Sequence, residues 1–167
     1  MITFDTLFTK DRIYISNKTN QKDIFMEVYQ DLLKQNCVTK DFLRNLCERE
    51  RNYPTGIDLA PIDPSLPNIA IPHTESQFVK TSGIVPIKLN HPIYFYNMIH
   101  PKEELPVSFL FMILNQDGQE QTSLLASIMD FINSCDKDEL TAFFQMKDSE
   151  DLFNFLKNNF KGVIAND

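Results

Sequence analysis

Between Val107 and Leu114 the chain is almost continuously apolar, reading Val-Ser-Phe-Leu-Phe-Met-Ile-Leu. A run of this kind without polar alternation suits a central strand covered on both faces, and so a sheet flanked by helices. Arg12 to Ser16 alternates instead, as a short half-buried strand does. Asn68 to Ile71, Ile84 to Leu89 and Ile93 to Tyr96 also read as strands, the second weakened by Pro86. The stretch from Pro54 to Pro72 carries Pro54, Pro61, Pro64, Pro67 and Pro72, which predicts an extended, irregular connection. Long ordered loops of this sort are often functional.

Helical spacing fills the rest. After a cap at Asn20, Ile24, Val28 and Leu32 recur every four residues beside Phe25, and Asn36 is a stop. Thr39 is read as the cap of a second helix with Phe42, Leu43, Leu46 and Cys47 inward. That helix ends near Tyr53, because Pro54 disfavours helical geometry in the residue before it. A polar turn, Asn115 to Gly118, precedes a helix from about Glu120 to Ser134, with Leu124, Leu125, Ile128, Phe131 and Ile132 on one face. A short helix opens at Asp136 or Lys137 and runs through Phe144. A last one, capped by Ser149, carries Leu152, Phe153, Leu156 and Phe160. The expected architecture is a single α/β domain over residues 1–167, with a central mixed sheet and helices on both faces.

Composition narrows the class. With 43% hydrophobic and 23% charged residues, the chain has enough apolar material for a real core. The 14 phenylalanines, with no tryptophan, must fill much of it. Gly is scarce at 4, and neither glycine-rich nucleotide-binding motif occurs. A net charge of −7 without a Lys/Arg stripe argues against a nucleic-acid partner. No apolar run approaches the ~18 residues of a membrane span, and the start at Met1 lacks a signal-peptide pattern. Cys37, Cys47 and Cys135 form no paired or metal-binding motif, so a reduced, cytoplasmic chain is expected. His91 and His100 each precede a proline, and with His73 they match no compact zinc-ligand spacing. No metal and no cofactor is expected.

The candidate chemistry lies at Asn68-Ile69-Ala70-Ile71-Pro72-His73-Thr74. A buried strand anchors the backbone, Pro72 fixes the exit angle, and the imidazole of His73 projects from the strand end. Sites in open α/β sheets lie beyond such carboxyl ends. A neutral imidazole is a nucleophile near neutral pH, provided its other nitrogen is held by a hydrogen bond. Taken alone, His73 reads more readily as a turn histidine bonded to its own loop, and it is the neighbouring pieces that reverse that reading.

These residues resemble the phosphorylation-site motif of the fructose–mannitol superfamily of enzyme IIA domains, components of the bacterial sugar phosphotransferase system. Two further pieces match in order. Glu48-Arg49-Glu50 with Pro54-Thr55-Gly56-Ile57 resembles the helix end and turn before the motif. Leu110 to Leu114, then Gln121 and Leu124 to Met129, resembles the strand, turn and helix after it. The resemblance implies that His73 accepts a phosphoryl group from phospho-HPr through Nε2. It then passes the group to a cysteine of an enzyme IIB, associating only indirectly with the membrane enzyme IIC. It implies that Arg49 stabilises the phosphate, with Thr74 in a supporting place. Many relatives carry a second histidine where this chain has Gln121, which can donate a hydrogen bond but cannot shuttle a proton. Gln121 and the His73-Thr74 pair fit the galactitol-type branch, and so transport of galactitol or a related polyol. A regulatory phosphorelay module of the same fold is the alternative, and a binding domain without His73 chemistry is a third reading.

Overall fold

The computed structural model describes residues 3–161. Its elements in chain order are α1 (Phe4–Leu7), β1 (Tyr14–Ser16), α2 (Gln21–Lys34), α3 (Phe42–Asn52), β2 (Gly56–Ile57), β3 (Asn68–Ala70), β4 (Gly83–Tyr96), β5 (Glu104–Leu114), α4 (Gly118–Ser134), α5 (Lys137–Phe144) and α6 (Ser149–Asn159). The five strands form one sheet in the order β1-β4-β5-β3-β2. It is mixed: β1 runs parallel to β4 and β3 parallel to β5, while β4–β5 and β2–β3 are antiparallel. The expected α/β architecture, a mixed sheet between helical layers, is the one observed.

The most apolar strand is central, as its composition predicts, and alternate residues of β5 feed two separate cores. Phe109, Phe111 and Ile113 pack with Leu124, Ile128 and Phe131 of α4 and with buried residues of α1, α5 and α6. Leu110, Met112 and Leu114 pack on the other face with Ile24, Val28 and Leu32 of α2 and Phe42 and Leu46 of α3. A register shift opposite β3 pairs Asn68 with Val107 but Ile69 with Phe109. The extra residue, Ser108, is a bulge, which explains why Val107 and Phe109 face opposite cores.

The segments read as two strands, 84–89 and 93–96, are one strand, β4, with a register shift between Lys88 and Ile93. Pro86 is tolerated because β1 begins to pair only at Ile87. His91 is exposed in the distorted stretch, and His100 is exposed in the turn before β5. Asn20 caps α2 by accepting the Asp23 amide. Asn36 ends that helix in the left-handed region, φ 62°, and Cys37 N–H closes onto Leu32 C=O. Two caps differ from expectation by position. Asp41, not Thr39, precedes α3, and Thr39 contributes its carbonyl to the Phe42 amide. Asp148, not Ser149, caps α6. Arg12 belongs to a turn of 3-10 helix rather than to β1.

The unanticipated strand β2 matters most for the site. Gly56 lies so close to the β4 backbone that a Cβ there would sit 2.6 Å from the Tyr96 carbonyl oxygen. Its own carbonyl accepts the Met98 amide at 2.8 Å. Glycine is required by close approach, not by backbone angles. Gly56→Ala must push one backbone off another and is expected to cost about 1–3 kcal/mol, read as a lower urea midpoint with unchanged slope.

Candidate functional site

The backbone N–H of Ile113 on β5 donates to the Pro72 carbonyl at 3.0 Å, and His73 itself pairs with Ile113 as a single parallel bridge. The strand end is therefore tied to the central strand at the residue before the imidazole. His73 is half-buried. Its Nδ1 lies 2.9 Å from the Ile71 carbonyl oxygen. A carbonyl only accepts, so Nδ1 carries the proton and Nε2 carries the lone pair. The side-chain amide of Gln121, in the first turns of α4, donates to that Nε2 at 2.9 Å.

Burial holds the proton affinity of His73 below the ordinary histidine range, and the nearby positive charge of Arg49 lowers it further. The bond to Ile71 works in the opposite direction and does not win. The imidazole is thus neutral at neutral pH, with its free lone pair on Nε2. Arg49, half-buried near the end of α3, stacks its guanidinium 4.4 Å from the centre of the exposed Tyr53 ring. Its Nε–H is buried without a partner, and no carboxylate forms an ion pair with it among the described residues. A guanidinium held by a ring face, with a donor unspent, is available to an anion.

Gln121 of α4 is thus bonded to the His73 ring, and Arg49 of α3 lies near enough for its charge to act on the imidazole. Thr74 is buried, and its hydroxyl donates to the Glu75 carbonyl at 2.9 Å, not to the imidazole.

Two residues of α3, Asn45 and Glu50, to which the motif reading gave no role, tie neighbouring segments together. Asn45 accepts the Glu75 amide at 2.9 Å and donates to the Glu75 carboxylate at 3.0 Å. Glu50, 5% exposed, accepts from the Thr55 amide at 2.8 Å and from the Thr55 hydroxyl at 2.7 Å. Their only sequence signal is polarity on the inward side of α3, where Phe42 and Leu46 point. Beside the site, Gly56, Ile57 and Asp58 face Met98 and Ile99 and the side chains of Leu125 and Met129 across an apolar groove of about 380 Å³. Leu125 and Met129 follow Gln121 on the same face of α4 at four-residue spacing. Among the described residues no cluster of three His, Cys, Asp or Glu side chains is placed to hold a metal ion, and no helix is long and apolar enough to cross a membrane.

Burial pushes the Glu50 carboxyl up to about 7, despite both Thr55 bonds favouring the ionised form. A carboxyl raised in the folded state contributes stability that is complete below its ordinary value near 4.5 and is lost as pH rises through about 7. Glu50→Gln has no such titration. Between pH 5 and 8 the wild type is expected to lose on the order of 3 kcal/mol relative to this variant, measured by urea unfolding at each pH.

Comparison with known proteins bears on the family and the fold. The profile of the phosphoenolpyruvate-dependent sugar phosphotransferase system EIIA 2 family matches residues 6–159. No curated protein matches the chain. Among solved structures, the mannitol IIA of Escherichia coli superposes with a TM-score of 0.70 at 14% identity, over 89% of this chain and 98% of that one. A complex of the mannitol enzyme IIA with phosphorylated enzyme IIB, also from Escherichia coli, gives 0.68 at 12% identity, over 90% and 97%. The nitrogen regulatory protein IIA-Ntr of Neisseria meningitidis gives 0.61 at 20% identity, over 92% and 97%. At these identities the structural likeness is one of fold, whereas the profile spans nearly every described residue. The chain belongs to the EIIA type 2 family of the phosphoenolpyruvate-dependent sugar phosphotransferase system.

Proposed function

We propose that His73 is the phosphoryl acceptor of this carrier, taking the group from phospho-HPr and passing it to an enzyme IIB. The observation that carries the reading is the Nδ1–H···O=C bond to Ile71, which leaves Nε2 as the nucleophilic nitrogen at the strand end. In the first step a P–Nε2 bond forms as the donor's P–N bond breaks, and the bonding electron pair returns to the donor's imidazole. In the second, the cysteine thiolate of enzyme IIB displaces Nε2 from phosphorus, and His73 regains its lone pair. Neither step needs a general acid or base, so a glutamine in place of a second histidine is sufficient. Catalysis is positioning and charge stabilisation.

Arg49 supplies a cation beside the imidazole, and its Nε–H has no other hydrogen-bond partner among the described residues. Gln121 is bonded to the attacking nitrogen at rest and turns its amide to a phosphoryl oxygen once Nε2 is occupied. The apolar groove flanking the site suits protein partners rather than a small polar substrate. An enzyme IIB as acceptor is supported by the structural neighbour solved as a complex with phosphorylated enzyme IIB. Gln121 and Thr74 support placement in the galactitol-type branch, serving uptake of galactitol or a related polyol.

Incubation with enzyme I, HPr and labelled phosphoenolpyruvate is expected to give an acid-labile, base-stable label that His73→Ala loses entirely. Arg49→Gln is expected to slow labelling by about 10²-fold. An unlabelled wild type sinks the carrier reading, and transfer to a panel of enzyme IIB proteins tests the galactitol assignment against a regulatory role. NMR titration of the imidazole is expected to give His73 a midpoint below the ordinary histidine value. Arg49→Gln is expected to move that midpoint upward, because a repelling charge is removed. An unmoved midpoint places Arg49 outside the site.

A further inference from the structure

Glu50 is the least expected side chain near the site. It is a carboxyl group, buried, one residue from Arg49, yet it forms no ion pair among the described residues. Both of its oxygens are spent on one residue, Thr55, through the backbone amide and the hydroxyl. Thr55 in turn presents its carbonyl to the Ile71 amide at 3.2 Å. The carbonyl of Ile71 is the group that holds His73 Nδ1. Three successive links thus run from the residue beside the guanidinium to the imidazole ring.

The same helix also grips the chain beyond the imidazole. Asn45, four residues before Arg49, holds Glu75 by two hydrogen bonds. Helix α3 therefore clamps the backbone on either side of His73, with Arg49 between the two clamping residues.

We infer that Glu50 is a positioning residue: its two-point bond to Thr55 registers the helix bearing Arg49 against the strand end bearing His73 and so maintains the Nδ1–H tautomer that leaves Nε2 reactive. This rests on His73 being the phosphoryl acceptor. Charge is not what the contact needs. Ionised, the carboxylate accepts both Thr55 donors. Protonated, it accepts the amide and donates to the hydroxyl, which reverses its role. A glutamine at this position satisfies the same pair of partners in the second way. An alanine satisfies neither and frees the Thr55 amide.

The test compares Glu50→Gln, Glu50→Ala and Thr55→Val in the full chain. Three readouts are used: circular dichroism, imidazole nitrogen-15 shifts of His73, and single-turnover labelling by phospho-HPr over a range of donor concentrations. Glu50→Gln is expected to keep the wild-type His73 shifts and at least about a third of the rate. Glu50→Ala is expected to shift His73 toward a mixture of tautomers. Its rate at saturating donor should fall at least about tenfold, the scale on which misplacement of a reacting group acts, with the half-saturating donor concentration unchanged. Thr55→Val removes only the hydroxyl and moves both readouts the same way to a smaller extent, which covers the case of an unfolded alanine variant. A folded Glu50→Ala or Thr55→Val with wild-type shifts and rate overturns the inference. So does Glu50→Gln behaving like the alanine variant, since charge would then be the requirement. If no protein, wild type included, takes label while the nitrogen shifts respond as expected, the acceptor reading fails and the positioning of the imidazole stands.

Discussion

The bond from His73 Nδ1–H to the Ile71 carbonyl is the constraint on which the site depends. An imidazole has two nitrogens and one proton when neutral, so fixing the proton on one fixes the lone pair on the other. The acceptor is a backbone carbonyl two residues upstream in the same exit from β3, so the ring is oriented by the strand that delivers it. Pro72 contributes at the same point. It has no N–H to spend, and its carbonyl is taken by Ile113. The short segment Ile71-Pro72-His73 is bound on one side to the central strand and on the other to Thr55. The nitrogen left outside these backbone bonds is Nε2, which accepts the Gln121 amide.

The electrostatics suit a carrier rather than a sink. A phosphoryl group that must leave again cannot be clamped by many charges, because a stabilised intermediate raises the barrier to the next transfer. One guanidinium, held by Tyr53 rather than by a carboxylate, and one neutral amide from Gln121 meet that condition. Partial burial keeps the imidazole uncharged without further machinery, and the Arg49 field acts in the same sense. Glu50 is the counterweight. The fold keeps a carboxyl in a place that opposes its ionisation, and the return is a fixed relation between Arg49's helix and the backbone around His73.

Much of this was legible in the chain because it is periodic. The unbroken apolar run 107–114 marks the central strand, and the four-residue spacing of Ile24, Val28 and Leu32 marks α2. The Pro-His pair at a strand end, the arginine before it and the glutamine beyond the central strand marked residues that the fold brings together. What was not legible depends on contacts between distant segments. Two residues of β2 carry no periodicity and are a strand only because Ala70 and Ile69 lie beside them. The continuity of β4 through Asn90-His91-Pro92 is set by its pairing with β5, which overrides two local strand signals. The start of α3 after Asp41 rather than Thr39 is a two-residue shift that propensity does not resolve. The burial of Glu50 was not legible either, since the sequence does not reveal that its partner is five residues away and equally buried.

The three side chains proposed to act at the site come from three layers, and the two helical layers are packed on the sheet by cores of different composition. Gln121 is carried by α4, whose inner face packs into a core built largely of phenylalanine, where Phe111 and Phe131 meet edge to face at 6.3 Å and Phe131 and Phe143 at 5.6 Å. Arg49 is carried by α3, whose inner face packs into the opposite core, richer in isoleucine, valine and leucine. His73 comes from the sheet between them. Rigid rings on one side and branched aliphatic chains on the other hold each helix to the sheet independently. Neither core alone fixes the distance from amide to imidazole to guanidinium. Polar links from α3 through Thr55 and Glu75 join the helix of Arg49 to the backbone around His73, and Gln121 of α4 meets the ring directly. A small polar cluster therefore decides the geometry of a site whose scaffold is almost entirely apolar.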